Sequence, residues 1–173
     1  MSQADRLRKL LAEPGVLVLP GCFDAMTAKL IERAGYPGAF MGGFAVSAAR
    51  IGMPDTGLIS YSEMLDQGRN ICSAVGFPVI GDGDTGYGNA INTHRTVQTY
   101  ARSGVAGIQL EDQVSPKRCG HTAGKAVIPL SEMLGKLRAA RDASAEIVIV
   151  ARTDARAVEG FDSALERSLA FEE

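Results

Sequence analysis

Five short apolar runs, at residues 16–19, 39–41, 79–80, 107–110 and 147–150, alternate with segments of helical length and period. Runs that are apolar throughout, rather than on alternate residues, are the pattern of strands covered on both faces, and strands separated by helices form parallel sheets. The helical segments are expected at 6–13, 25–34, from Ser60 or Ser62 to about 75, 93–103, from Ser131 to about 143, and from Asp162 onward. Gly42-Gly43 opens a stretch read as a long loop through Asp55. In such folds ligands bind beyond the carboxyl ends of the strands. Here those ends carry Asp24, Gly42, Gly43, Asp82, Asp84, Glu111, Arg152 and Asp154. The local pattern fits both an open doubly wound sheet and a barrel.

The third of these ends, Asp82-Gly83-Asp84-Thr85-Gly86-Tyr87-Gly88, is the most informative. If the strand continues through Asp82 and Asp84, their side chains share a face and repel each other unless a cation or basic group intervenes. Hard oxygen ligands suit Mg²⁺ or Mn²⁺. The same stretch matches the spacing Gly-x-Gly-x-x-Gly of dinucleotide sites, but the two carboxylates stand where a pyrophosphate would have to lie. It also begins like an EF-hand loop, yet the twelfth position is Thr93 where a bidentate Glu is needed. A turn whose aspartates cap the next helix and a metal site remain as the two readings of these residues.

At 173 residues, 46% of them hydrophobic, the chain can bury a core and is expected to be one domain over residues 1–173. A net charge of −2 without a basic run argues against nucleic acid and membrane surfaces as partners. No stretch reads as a signal peptide or membrane span, and the three dispersed cysteines fit a reducing compartment. A cytoplasmic location is expected, with the mitochondrial matrix as the other possibility.

Four motifs in order carry a resemblance. They are Pro78-Val79-Ile80-Gly81-Asp82-Gly83-Asp84-Thr85-Gly86-Tyr87-Gly88, Gly107-Ile108-Gln109-Leu110-Glu111-Asp112-Gln113, Lys117-Arg118-Cys119-Gly120-His121 and Ala151-Arg152-Thr153-Asp154-Ala155. Together they resemble the isocitrate lyase/phosphoenolpyruvate mutase superfamily. The Lys-x-Cys-Gly-His loop is most similar to that of the 2-methylisocitrate lyases; the mutase branch typically lacks the cysteine. The resemblance implies an α/β fold of the (β/α)₈ TIM-barrel type. Such a barrel takes roughly 250 residues, so this chain is expected to hold about five of its eight units, as a truncated barrel. It also implies a homo-oligomer, and the unpaired edges of an incomplete barrel point to aggregation or obligate pairing.

The site implied by the resemblance is specific. Asp82 and Asp84 would hold Mg²⁺, directly or through water, with Glu111 completing the acidic cluster. Arg152 would clamp a substrate carboxylate, while Gly42 and Gly43 would meet another through backbone N–H groups. Asp55 and Gly120 would lie near the substrate. Cys119 would be the general acid, its thiolate favoured by neighbouring Lys117, Arg118 and His121. Gly120 and Gly124 would be hinges of a closing loop. The implied activity is Mg²⁺-dependent carbon–carbon cleavage of a small di- or tricarboxylate such as 2-methylisocitrate, giving pyruvate and succinate. Where the superfamily usually has Ser or Thr this chain has Gly42, which leaves oxaloacetate cleavage or decarboxylation, or a mutase-type activity, open. A fragment acting only with a partner subunit is the alternative from another class.

Overall fold

The computed structural model describes residues 1–172. A helix, α1 (Gln3–Ala12), precedes five β/α repeats: β1 (Gly21–Cys22) and α2 (Ala25–Arg33); β2 (Ala39–Met41) with α3 (Gly43–Ile51) and α4 (Tyr61–Ala74); β3 (Val79–Asp82) and α5 (Ala90–Arg102); β4 (Gly107–Glu111) and α6 (Leu130–Ala143); β5 (Val148–Arg152) with α7 (Ala155–Val158) and α8 (Phe161–Glu172). All strands are parallel and lie in the order β1-β2-β3-β4-β5. A doubly wound sheet reverses its strand order at a switch point. This one never does. Each strand pairs with its successor, as in the wall of a barrel.

The two faces of the sheet bury different things. One face packs on the helices through Met41, Val79, Ile108 and Leu110, against Met64, Ile71, Val97 and Tyr100. The other carries Phe40, Ile80, Val148 and Val150, with Leu7 of α1 and Leu19 packed onto them. The period of two therefore sends Asp82, Gln109, Glu111 and Arg152 to the same inner face as this second cluster, one or more steps further along each strand. Register aligns them: Asp82 is opposite Gln109, and Glu111 is opposite Arg152. No helix among the described residues is long and apolar enough to cross a membrane.

Local chemistry explains most boundaries and several departures from expectation. Ser60, of the two serines considered, caps α4 in a reciprocal box with Glu63. The expected strand at 16–19 is not paired; Val16 and Val18 are exposed. The reason is that β2 begins only at Ala39, after Tyr36-Pro37-Gly38, so pairing starts with Phe40 N–H donating to Pro20 O. The expected loop after Gly42 contains α3, with Gly42 as its N-cap and Gly52 closing it at φ +64°. Asn89, not a residue near Thr93, caps α5, and α6 begins at Leu130 behind Pro129 rather than under a Ser131 cap. The short α7 has no counterpart in the sequence reading. Asp24, expected on the functional rim, is engaged as the N-cap of α2, accepting from Thr27 N–H at 2.7 Å.

Candidate active site

At the carboxyl ends of β2 to β5 the inner face opens into a cavity of about 450 Å³. Ten residues singled out from sequence line it: Gly42 and Gly43 from the start of α3; Asp55 from the segment after it; Asp82, Glu111 and Arg152 from strand ends; Lys117, Cys119, Gly120 and His121 from the loop after β4. Asp84 lies just behind, linked to Asp55 through Lys117. His94 sits on α5 and is not among the lining residues. Phe40, Phe44 and Gln109 also line the cavity, and sequence reasoning had not singled them out. Gln109 was findable, since it is the polar residue at an inner-facing position of an otherwise apolar strand.

The two aspartates do not meet by strand alternation as expected. β3 stops at Asp82, Gly83 N–H donates to Gln109 O at 2.8 Å, and Asp84 then turns left-handed at φ +47°. That conformation is costly for a residue with a Cβ and is tolerated best by Asn and Asp. It is held by Asp84 N–H donating to Asp82 Oδ1 at 2.9 Å and by Glu111 N–H donating to Asp84 O at 2.9 Å. The other Asp82 oxygen accepts the N–H of Gly43 at 3.0 Å. A Cβ on Gly43 would sit 2.9 Å from that oxygen, so this close approach requires glycine. The Gly43 N–H, assigned above to a substrate carboxylate, is thus engaged with Asp82.

Lys117 also departs from its expected part. Its ammonium lies between Asp55 Oδ1 at 2.6 Å and Asp84 Oδ1 at 2.8 Å, and all three side chains are about 6% exposed. Burial opposes its charge, but the two carboxylates outweigh that and hold its pKa above the usual lysine value. Its charge is compensated by carboxylates rather than left free to favour a Cys119 thiolate. Arg152 reaches Glu111 Oε2 at 3.2 Å and Asp154 Oδ1 at 3.1 Å while staying one-third exposed to the cavity. Arg152 thus pairs with Asp154 and still presents its guanidinium to the cavity.

The cluster is short of positive charge. Burial, with the nearby Asp82 charge adding to it, pushes Asp84 up to about 6. Burial also raises Glu111 to about 8, although Arg152 pulls the other way. Glu111 Oε1 is buried with no hydrogen-bond partner. Among the described residues no three His, Cys, Asp or Glu side chains are close enough to hold an ion by themselves. An all-oxygen anionic set with an orphaned carboxylate oxygen suits a hard divalent ion that keeps water and substrate oxygens in its other positions. Asp82 and Glu111, backed by Asp84, are the residues that would hold it.

Around the site runs a second layer of polar contacts. Asp112, fully buried, accepts from Thr153 Oγ1 at 2.7 Å, from Asp154 N–H at 2.9 Å and from Arg167 of α8 at 3.2 Å. It fixes the end of β5 from behind, and Tyr100 O–H does the same for β3 by donating to Asp82 O at 3.0 Å.

A family model described as phosphoenolpyruvate phosphomutase matches residues 7–173. The chain belongs to the phosphoenolpyruvate phosphomutase family. Within that family it is 49% identical to a 2,3-dimethylmalate lyase of Eubacterium barkeri, over 100% of this chain and 61% of that protein. It is 41% identical to a 2-methylisocitrate lyase of Bacillus subtilis (strain 168), over 97% of this chain and 56% of that protein. Among solved structures it superposes on an oxaloacetate acetylhydrolase in complex with 3,3-difluorooxalacetate, with a TM-score of 0.95, 39% identity, and coverage of 99% and 60%. It also superposes on a phosphonopyruvate hydrolase in complex with oxalate and Mg²⁺, with a TM-score of 0.90, 33% identity, and coverage of 99% and 60%. The chain thus spans about 60% of the length of the relatives it matches. Parallel order, family match and superposition together give the TIM-barrel type expected for the phosphoenolpyruvate phosphomutase family, and its members named here include lyases.

Proposed function

We propose that this chain carries the catalytic face of a Mg²⁺-dependent carbon–carbon lyase acting on a small 2-hydroxy di- or tricarboxylate and releasing pyruvate. The observation that supports it is the convergence of a thiol (Cys119), a carboxylate clamp (Arg152) and an under-compensated acidic cluster (Asp82, Asp84, Glu111) on one cavity. The names of two relatives, 2,3-dimethylmalate lyase and 2-methylisocitrate lyase, fit the same chemistry. Both substrates have a tertiary carbon bearing hydroxyl, methyl and carboxylate, and cleavage of its bond to the next carbon leaves pyruvate.

In this reading Arg152 binds a substrate carboxylate with its planar guanidinium. The hydroxyl gives its proton to the carboxylate cluster as the carbonyl forms and the C2–C3 bond breaks. The electron pair of that bond stays on C3, which takes a proton from the Cys119 thiol; the thiolate later recovers one. A bound Mg²⁺ would supply Lewis-acid stabilisation of the developing charge. Closure of the loop carrying Cys119 would limit water at the reacting carbon. Self-association is proposed too, supported by the exposed apolar stripe Phe161, Leu165 and Leu169 on α8; light scattering of the purified chain tests it.

The test is pyruvate formation from 2,3-dimethylmalate and 2-methylisocitrate in the presence of Mg²⁺. Asp82→Ala should abolish it, and Cys119→Ser should slow it by about 10²–10⁴-fold, the usual contribution of a positioned acid. Indifference to both substitutions would sink the mechanism. Cleavage of oxaloacetate with no pyruvate from either hydroxy acid would move the assignment to a hydrolase.

A further inference from the structure

Two motif residues that the proposed chemistry leaves without a part, Gln113 and Asp154, touch each other. Gln113 is 1% exposed and follows directly on Glu111-Asp112. Its Oε1 accepts the Arg118 N–H at 3.0 Å, while its Nε2 donates to Arg118 O at 3.0 Å and to Asp154 Oδ2 at 3.1 Å. Both backbone groups of the residue just before Cys119 are therefore held by one side chain. The other oxygen of Asp154 accepts from Arg152 at 3.1 Å. That same oxygen is 4.0 Å from Lys125, whose ammonium also reaches Gly120 O. Gly120 in turn packs so closely on Arg152 that a Cβ there would lie 2.7 Å from the guanidinium.

We propose that Gln113 and Asp154 form a latch that positions the Cys119 loop against Arg152, so that proton donor and carboxylate clamp are set by one hydrogen-bonded unit. They are positioning residues and do not touch substrate. The amide is required because it must accept from an N–H at one end and donate to a carboxylate at the other. A glutamate would keep the shape but face Asp154 with like charge and lose both donated bonds. The base of the excursion is closed separately, by Val114 N–H donating to Ala126 O at 2.8 Å and Ile128 N–H to Asp112 O at 2.9 Å. Releasing the latch therefore frees the segment around Cys119 without undoing the fold.

The functional consequence rests on the roles proposed for Cys119 and Arg152, but the latch can be read without turnover, from the alkylation rate of Cys119 in the full chain. Cys22 and Cys72 serve as internal controls, since burial pushes their thiols up to about 11 and about 12. Gln113→Glu should raise the rate of Cys119 modification by about tenfold or more, the scale expected for losing a buried hydrogen bond to a charged group. Cys22 and Cys72 should stay unmodified. The double variant Gln113→Glu/Asp154→Asn, in which the asparagine amide donates back to the glutamate, should return the rate most of the way. If Gln113→Glu does not fold, Asp154→Ala, which removes the acceptor altogether, should give the same acceleration. A folded Gln113→Glu or Asp154→Ala protein with the parent rate overturns the latch. So does a double variant as fast as the single one. Neither result depends on whether the chain is a lyase.

Discussion

The inner face of the sheet has two ends made by the same strands, and they obey opposite rules. Toward the amino ends, Ile80, Val148 and Val150 pack with Leu7 and Leu19 into an apolar cluster in which Leu7 and Ile80 are buried and the other three half-buried. Toward the carboxyl ends, two to four residues further on, Asp82, Glu111 and Arg152 face one another with too few positive charges and a left-handed aspartate beside them. The first end contributes burial and the second stores unfavourable electrostatics. The difference teaches that a (β/α) wall can keep a strained, charged site rigid because apolar packing a few residues away on the same strands holds the register. Stability and chemistry are divided along each strand rather than between separate elements.

Substitutions at the two ends should then behave differently. The largest effect is expected from Lys117→Met, which leaves Asp55 and Asp84 buried without a counter-charge. It should cost about 3–5 kcal/mol in denaturant unfolding, with part regained on acidification as Asp84 is protonated. Next, Leu7→Ala should cost about 2–5 kcal/mol by opening a cavity, while the alkylation rate of Cys119 under native conditions stays at its parent value. A changed rate would break the division between the ends.

A smaller effect concerns pH. Glu111 and Asp84 have folded-state values raised to about 8 and about 6, above the ordinary 4.5 and 3.8. The folded chain therefore holds more protons than the unfolded one between those limits, and stability must fall as pH rises through that window. The melting temperature of metal-free protein should be lower at pH 8 than at pH 5, and saturating Mg²⁺ should flatten the decline. Glu111→Gln should reduce the slope in the same melting series. Last, Gly120→Ala should change stability by no more than about 0.5 kcal/mol, yet slow the proposed release of pyruvate measured in a coupled assay, because its methyl displaces Arg152.

Much of this was legible in the sequence because the site residues stand where apolar runs stop. Asp82, Glu111 and Arg152 are each the last residue of a strand, so a reading of strand ends finds them. What was not legible depends on distance along the chain or on backbone choices that glycine leaves open. Gly42-Gly43 looked like a breaker, and only the tertiary setting, with Gly43 donating to Asp82, makes it the start of α3. Residues 16–19 have strand composition but no partner, since pairing is not a property of composition. The attachment of Lys117 to Asp55 joins residues 62 positions apart, and that of Arg167 to Asp112 spans 55. Neither leaves a local signal.

The pairing of Glu111 opposite Arg152 has a consequence for assembly. A slip of β5 by one residue would bring Ala151 opposite Glu111 and turn the guanidinium outward among the apolar side chains of the helical layer. The slipped sheet would then strip Glu111 of its cation and set the guanidinium beside Asp112, at the expense of the contacts Asp112 makes with Thr153 and Asp154. The ion pair acts as a checksum on strand registration: the charges that suit the site for substrate also make the misaligned sheet the costlier one to form.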